Sequence, residues 1–134
     1  MQIQPYLFFE GRADEAIEFY KKTLDAKVEM AMRFKDAPDQ SMISPGSAGK
    51  IMHAAIKIGD AVVLISDGCN TGKSNFQGFA LTIYPKDEAE ADKLFCALGE
   101  GGEVRMPMDK TFFAKRFGML ADKFGVGWMI IVPA

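Results

Sequence analysis

The chain repeats one order of secondary-structure signals, and this repeat constrains its fold more than any other feature. In each half a short apolar strand precedes an amphipathic helix, and three further strands follow. The halves are predicted over residues 1–67 and 77–134, joined by a linker over residues 68–76 that is rich in Gly and Asn. Units of about 60 residues are too long for solenoid repeats. The pattern therefore predicts one α+β domain, in which two tandem βαβββ modules pack their small sheets into one body.

Hydrophobic periodicity gives each element approximate bounds. The first module is predicted to contain a helix at 13–27 and strands at 2–9, 28–34, 51–58 and 61–66. The second module is predicted to contain a helix from Asp87 to Gly99 and strands at 77–84, 103–108, 117–121 and 128–132. Asp87 and Glu90 have the spacing of a capping box.

Residues 35–49 have no hydrophobic periodicity and are rich in Pro, Gly, Ser and Asp. This composition predicts a long surface loop, of a length at which loops often act as lids over a site.

Charge and composition exclude several classes of partner. The 134 residues carry 16 basic and 18 acidic side chains, and the basic ones are scattered, which disfavours nucleic-acid binding. No apolar run approaches the ~20 residues that cross a bilayer, and the amino terminus lacks the features of a secretory signal, so we expect no membrane association and a cytoplasmic location. Cys69 and Cys96 have no nearby second thiol in the sequence and are expected to stay reduced.

Six stretches of the sequence resemble the PhnB-like branch of the vicinal oxygen chelate superfamily, which includes glyoxalases, bleomycin-resistance proteins and extradiol dioxygenases. They are PYLFFEGRADEAIEFYKKTLDA, HAAIKIGD, VLISDG, EAEADKLF, GGEVRMPMDKTFFAKRFG and DKFGVGWMI. Because they are distributed from residue 5 to residue 130, the resemblance covers nearly the whole chain. Phe113 departs mildly from the branch, which usually has Trp at that position. The resemblance implies curved mixed or antiparallel sheets around a cavity, and a homodimer.

The same resemblance argues against the superfamily's metal chemistry. Its catalysts hold a divalent ion with His and Glu side chains on the first and last strands of the modules. Aligned on the motifs above, two of these positions fall on Pro5 and Met129, which are poor ligands for a hard divalent ion. The window 77–80 has no His, Asp or Glu, and His53 is the single histidine of the chain. We therefore expect neither a bound metal ion nor another cofactor.

The PhnB-like branch is also sometimes described as related to a demethylubiquinone methyltransferase. The sequence has no βαβ unit with a glycine-rich turn that would bind the nucleotide of a methyl donor. We therefore do not expect that activity of this chain.

Period-two alternation divides each strand into two faces, of which the apolar one is expected to pack against a helix. On residues 28–34, for instance, the apolar set includes Val28, Met30 and Met32. The remaining faces supply the candidates to line one ligand cavity, which are Glu29, Arg33, His53, Ser66, Thr82, Arg105 and Met129. Antiparallel sheets commonly expose one face to water, so the same side chains are equally consistent with a solvated surface.

These features predict a metal-free protein that binds or sequesters a small organic ligand, since apolar walls and a few polar anchors suffice for that role. The alternative is an enzyme of lyase, isomerase or dioxygenase type that acts on a small metabolite through His53, or through a non-standard metal site of His53, Glu29 and Asp67. A histidine on a strand more often makes a structural hydrogen bond, and Asp67 more often caps a turn. The identity of the ligand stays open.

Overall fold

The computed structural model describes residues 1–41, 43 and 45–134. The chain forms two compact units, Met1–Ser74 and Asn75–Ala134. In the described residues each unit contains one four-stranded mixed sheet and one α-helix in the order βαβββ, and neither sheet closes into a barrel. The predicted α+β class with two similar modules is therefore confirmed. No α-helix of the described ranges combines the length and the apolar character that a bilayer crossing requires.

The first unit arranges its sheet in the order β1-β4-β3-β2. Its elements are β1 (Tyr6–Phe8), α1 (Ala13–Leu24), β2 (Lys27–Arg33), a 3₁₀ turn (Phe34–Asp36), β3 (Ile51–Ile58) and β4 (Ala61–Ser66). The short β1 lies parallel to β4, whereas the β4–β3 and β3–β2 pairs are antiparallel. The predicted loop over residues 35–49 begins with the 3₁₀ turn, and its residues 42 and 44 lie outside the described residues.

The second unit repeats this topology in the order β5-β8-β7-β6. Its elements are β5 (Leu81–Ile83), α2 (Glu88–Gly99), β6 (Glu103–Asp109), β7 (Ala114–Ala121) and β8 (Gly127–Pro133). The short β5 lies parallel to β8, and the other pairs are antiparallel. Asp87 caps α2 as predicted, since its carboxylate accepts a hydrogen bond of 2.8 Å from the backbone N–H of Glu90.

Several predicted elements were too long. The first strand of each unit has only three residues, and in the second unit Gly78, at φ +79°, interrupts the extended backbone before β5. The first helix ends at Leu24 rather than residue 27, because Asp25 adopts the left-handed conformation and its N–H bonds to the carbonyl of Tyr20. These local backbone reversals shorten the elements without changing their order.

The core of the first unit lies between α1 and one face of the sheet. Leu7, Ile65 and Ala54 are in register across β1, β4 and β3, and all three are at most 2% exposed. The helix adds Ala16 and Tyr20 to the same buried set. Burial of each large apolar side chain contributes roughly 1.5–3 kcal/mol to folding. The opposite face of the sheet is left without a helix of its own unit.

The prediction that Val28, Met30 and Met32 form one helix-packed face of β2 was wrong. Val28 pairs with Ile56, but a register shift follows, and Met30 pairs with Ala55. A bulge of this kind places two residues opposite one and ends the simple alternation. All three side chains are exposed, because β2 is the outer strand of the sheet.

Candidate functional site

The face of the first sheet opposite α1 is largely apolar and partly exposed, and we call it the first open face. Its members include Tyr6, Phe8, Met30, Met32, His53, Ala55 and Leu64, and Lys57 lies on the same side two residues beyond Ala55. Four of them, Met30, Ala55, Leu64 and Tyr6, lie side by side across all four strands. Residues in register on adjacent strands point to the same side, so their side chains form a continuous row.

The polar centre of this face is a pair formed by Tyr6 and His53. The Tyr6 hydroxyl lies 2.8 Å from Nδ1 of His53, and the two ring centroids are 5.5 Å apart. Phe8 stacks on Tyr6 with centroids 4.8 Å apart and an interplanar angle of 16°. Tyr6 therefore orients the imidazole, while Phe8 supports the phenol ring.

The hydrogen-bonding role of each His53 ring nitrogen depends on the tautomer of the imidazole. When the Tyr6 hydroxyl donates to Nδ1 of a neutral imidazole, the ring proton resides on Nε2. Nε2 then serves as a donor to a carbonyl, carboxylate or hydroxyl oxygen of a ligand. The surrounding Met30, Met32 and Leu64 side chains offer apolar contact, and methionine adapts readily to different shapes.

Arg33, predicted on the face of His53, is turned to the other side of the sheet. Met32 pairs with His53, and after a second register shift Arg33 pairs with Ile51. The Arg33 guanidinium donates two hydrogen bonds of 2.8 and 2.9 Å to the carboxylate of Asp14 at the start of α1. The prediction assumed uninterrupted alternation along β2. The bulge at Glu29 instead brings Met30 and Met32 to the side of His53, so Arg33, which directly follows Met32, lies on the opposite side.

The other two candidates of the first unit have different placements. Glu29 occupies the bulge of β2, between the paired residues Val28 and Met30, and is exposed. Ser66 pairs with Phe8 and so belongs to the side of the sheet that carries Tyr6. Its hydroxyl is buried and accepts a hydrogen bond of 2.9 Å from the Gly68 N–H, which fixes the turn after β4.

The second unit has a corresponding face, the second open face, which contains the remaining candidates. Met106, Met119, Met129 and Thr82 are in register across β6, β7, β8 and β5. Arg105 reaches the same side, because a Cβ added to Gly127 would lie 3.3 Å from its Nη1 atom. The structure therefore places Thr82, Arg105 and Met129 together, beside two methionines that the sequence prediction did not include.

The residues at the family's ligand positions do not fit a divalent ion. The carbonyl of Pro5 accepts a hydrogen bond of 2.9 Å from the N–H of Leu64. Met129 belongs to a row of thioethers, which bind hard cations poorly. Within residues 1–41, 43 and 45–134, no group of three or more His, Cys, Asp and Glu side chains is arranged to hold a metal.

In the alternative metal site of His53, Glu29 and Asp67, the carboxylate of Asp67 is not available to a metal ion. Both oxygens of Asp67 accept hydrogen bonds from backbone N–H groups, Oδ1 from Gly11 and Ala13 and Oδ2 from Ile51, at 2.8 to 2.9 Å. The side chain is completely buried. Asp67 therefore acts as an internal cap of the first unit.

Sequence reasoning missed Tyr6, Phe8, Met30 and Met32 as members of the first open face. The alternation of Tyr6 and Phe8 with the buried Leu7 was visible in the sequence and would have predicted the two exposed aromatic rings. The two methionines could not be assigned in this way, because the sequence gives no signal for the bulge at Glu29. The hydrogen bond between Tyr6 and His53 depends on strand order, which local patterns do not define.

Comparison with known proteins places the chain in a family. The model of the 3-demethylubiquinone-9 3-methyltransferase family matches residues 1–131. Protein YjdN of Escherichia coli strain K12 is 33% identical over 142 residues, which cover 98% of this chain and 95% of YjdN.

Solved structures agree with this assignment. The crystal structure of protein PA1353 from Pseudomonas aeruginosa has 36% sequence identity and a TM-score of 0.87, covering 99% of this chain and 98% of PA1353. A PhnB protein from Bacillus cereus has 28% identity and a TM-score of 0.82, covering 98% of this chain and 99% of that protein. The chain therefore belongs to the 3-demethylubiquinone-9 3-methyltransferase family and is PhnB-like, as its sequence motifs predict.

Proposed function

We propose that this protein is a metal-free binding module that holds a small organic ligand on the first open face. The observation that carries the proposal is the 2.8 Å hydrogen bond between Tyr6 and His53, beside the apolar row formed by Met30, Ala55 and Leu64. Binding sites for small molecules typically combine apolar walls with a few polar groups that fix orientation. The first open face has this composition.

The contacts available on this face indicate what such a ligand contains. Phe8 is 48% exposed and stacks on Tyr6, so the two rings offer a flat apolar platform. Met30 and Met32 are each 37% exposed and lie on β2, at the other edge of the sheet, next to Ala55 and His53 of β3. Nε2 of His53 supplies the polar anchor. The ligand is therefore a compact, largely apolar molecule with at least one hydrogen-bond acceptor.

An enzyme that uses His53 is the second candidate, favoured by the orientation that Tyr6 gives to the imidazole. A histidine held by a neighbouring hydroxyl is a suitable general acid or base when a substrate proton comes within hydrogen-bond distance.

Methyl transfer has less support than either binding or catalysis by His53. Each described sheet is mixed and four-stranded, whereas dinucleotides and related cofactors bind to doubly wound parallel sheets.

A screen for bound small metabolites tests the proposal, with thermal stabilisation as the first readout. Each hit is then added to protein labelled with ¹³C at the methionine methyl groups, whose signals are assigned by replacing single methionines with leucine. Binding at the first open face shifts the Met30 and Met32 signals. Tyr6→Phe removes one hydroxyl and is expected to weaken binding roughly two- to tenfold, the value of one hydrogen bond.

The matched control is Tyr84→Phe, which removes the hydroxyl of an exposed tyrosine in the second unit. It is expected to leave the affinity unchanged. A hit that shifts neither Met30 nor Met32, or that binds the Tyr6 and Tyr84 variants equally well, contradicts the proposed site. Conversion of a hit to product by wild-type protein, lost in His53→Gln, would favour the enzyme.

A homodimer and a cytoplasmic location stay predictions. Light scattering during size-exclusion chromatography measures the mass of the particle directly. A mass near 14.7 kDa, that of one chain, would refute the homodimer without affecting the proposed binding role.

A further inference from the structure

Within residues 1–41, 43 and 45–134, Arg105 differs from the other arginines in its lack of an acidic partner. Arg12, Arg33 and Arg116 each form an ion pair of 2.6 to 2.8 Å, with Glu15, Asp14 and Asp92 respectively. Within the described ranges, Arg105 is the only arginine whose side chain forms neither an observed ion pair nor an observed hydrogen bond. Guanidinium groups bind carboxylates and phosphates through paired, charge-assisted hydrogen bonds. Arg105 retains that capacity.

The position of the Arg105 side chain is defined by the small residues beneath it. A Cβ built on Gly127 would lie 3.3 Å from Arg105 Nη1, 3.1 Å from the carbonyl oxygen of Phe79 and 3.7 Å from the Cβ of Ala80. Gly127 pairs with Ala121 on β7. The guanidinium therefore extends from β6 across β7 to β8 and lies over Gly127 and Ala121, which are both buried.

An apolar row lies next to the Arg105 guanidinium. Gly127 and Met129 are two residues apart on β8 and face the same side, roughly 7 Å from each other along the strand. Met129 is in register with Met119 and Thr82, and Met119 with Met106. A cationic group and three thioether side chains thus lie within the length of one small molecule, with a threonine hydroxyl at the end of the row.

We infer that the second open face binds an organic anion, a molecule with a carboxylate or phosphate head on Arg105 and an apolar body on Met106, Met119 and Met129. The inference rests on the proposed binding function and adds the chemical class of a ligand. Methionine side chains accommodate apolar groups of varied shape, so the charged head provides the selectivity. The Thr82 hydroxyl is an additional donor for a polar substituent.

Three probes with the same six-carbon chain test the inference: hexanoate, hexyl phosphate and the neutral hexan-1-ol. Each is titrated into the full chain labelled with ¹³C at the methionine methyl groups, and the signals of Met106, Met119 and Met129 report binding at this face. Both anions are expected to shift these signals and to bind at least about tenfold more tightly than hexan-1-ol, the size of one charge-assisted interaction. The two anions distinguish a carboxylate ligand from a phosphate ligand.

Variants at Arg105 separate its charge from its shape. Arg105→Gln is expected to weaken the binding of the anions about tenfold or more and to leave hexan-1-ol unaffected. Arg105→Lys keeps the charge but loses the paired donors, so an intermediate affinity is expected. The matched control, Lys93→Gln on the exposed surface of α2, changes the net charge equally and is expected to have no effect.

Equal affinity for hexanoate, hexyl phosphate and hexan-1-ol, or anion binding that survives Arg105→Gln, would overturn the inference. So would the absence of shifts at Met106, Met119 and Met129 with both anions. These outcomes leave the proposed function intact, because that proposal is judged on Met30 and Met32 in the first unit. If instead the anions bind through Arg105 and no compound shifts Met30 or Met32, the inference stands and the proposed site on the first open face fails.

Discussion

The carboxylate of Asp67 accepts a hydrogen bond of 2.8 Å from the backbone N–H of Ala13, a residue 54 positions earlier in the chain. Helices commonly receive this bond from their own N-cap side chain, but Arg12, the N-cap residue of α1, makes no such contact. Asp67 therefore caps the helix from the end of β4, and it also binds the N–H of Ile51 at the start of β3. One buried side chain joins three elements of the first unit.

Replacing Asp67 should destabilise the protein strongly. Asp67→Ala leaves three backbone donors without their acceptor in a buried site and is expected to lower the free energy of unfolding by about 3–5 kcal/mol. Urea denaturation followed by circular dichroism measures the change. Asp60→Asn, in the exposed Gly59-Asp60 turn, is the control and should cost less than about 0.5 kcal/mol. Similar values for both variants would show that the cap contributes little.

Gly102 is expected to tolerate no side chain, because backbone atoms enclose it. A Cβ at this position would collide with the carbonyl oxygen of Ala121 and lie 2.8 Å from the carbonyl carbon of Asp122. Gly102→Ala should therefore lower stability by about 2–3 kcal/mol. Gly49→Ala is the control, since nothing lies within 4 Å of its added Cβ. Thermal unfolding of both variants tests this, and equal melting temperatures would contradict the expectation.

The ion pair of Arg33 and Asp14 should make stability depend on pH in the acid range. The Arg33 hydrogen bonds hold the pKa of Asp14 below its ordinary value, against the opposing effect of burial. A lowered pKa contributes stability that is present above the pKa of the unfolded state, near 4, and is lost as the pH falls through the lower pKa of the folded state. Both side chains are more than a third exposed, so solvent screening limits the contribution to less than about 1 kcal/mol.

Arg33→Gln should raise the pKa of Asp14, which NMR titration of its carboxyl carbon measures directly. The stability difference between wild type and this variant should be larger at pH 6 than at pH 2. Lys22→Gln removes an exposed positive charge from the same helix and should leave the Asp14 titration unaltered. An Asp14 pKa that does not move in Arg33→Gln would refute the assignment.

Purified protein should contain far less than one zinc, nickel, manganese or iron ion per chain. The reason is the donor set, in which Pro5 and Met129 stand at family ligand positions and Asp67 is fully hydrogen-bonded. Elemental analysis of protein purified without a metal column measures this. One bound ion per chain, lost in His53→Ala, would overturn the metal-free proposal and favour the enzyme.

The order of elements was predictable because each carries a local signal. The α2 cap at Asp87 and the hairpin through Gly59-Asp60 follow from spacing and turn chemistry. The face on which Arg33 lies was not predictable, since a bulge is a compromise among strand pairing, twist and packing that no single residue reports. The joint placement of Tyr6 and His53 requires β1 to pair with β4, a long-range choice that local periodicity leaves undefined.

The buried Trp128 gives the two units different optical signals. It is the single tryptophan of the chain, and its indole N–H donates a hydrogen bond of 2.9 Å to the Asp122 carboxylate inside the second unit. Its fluorescence therefore reports the loss of structure in that unit alone, whereas circular dichroism sums over both. Coincident denaturation curves from the two methods would mean that the units unfold cooperatively, and separated curves would reveal an intermediate with one half still folded.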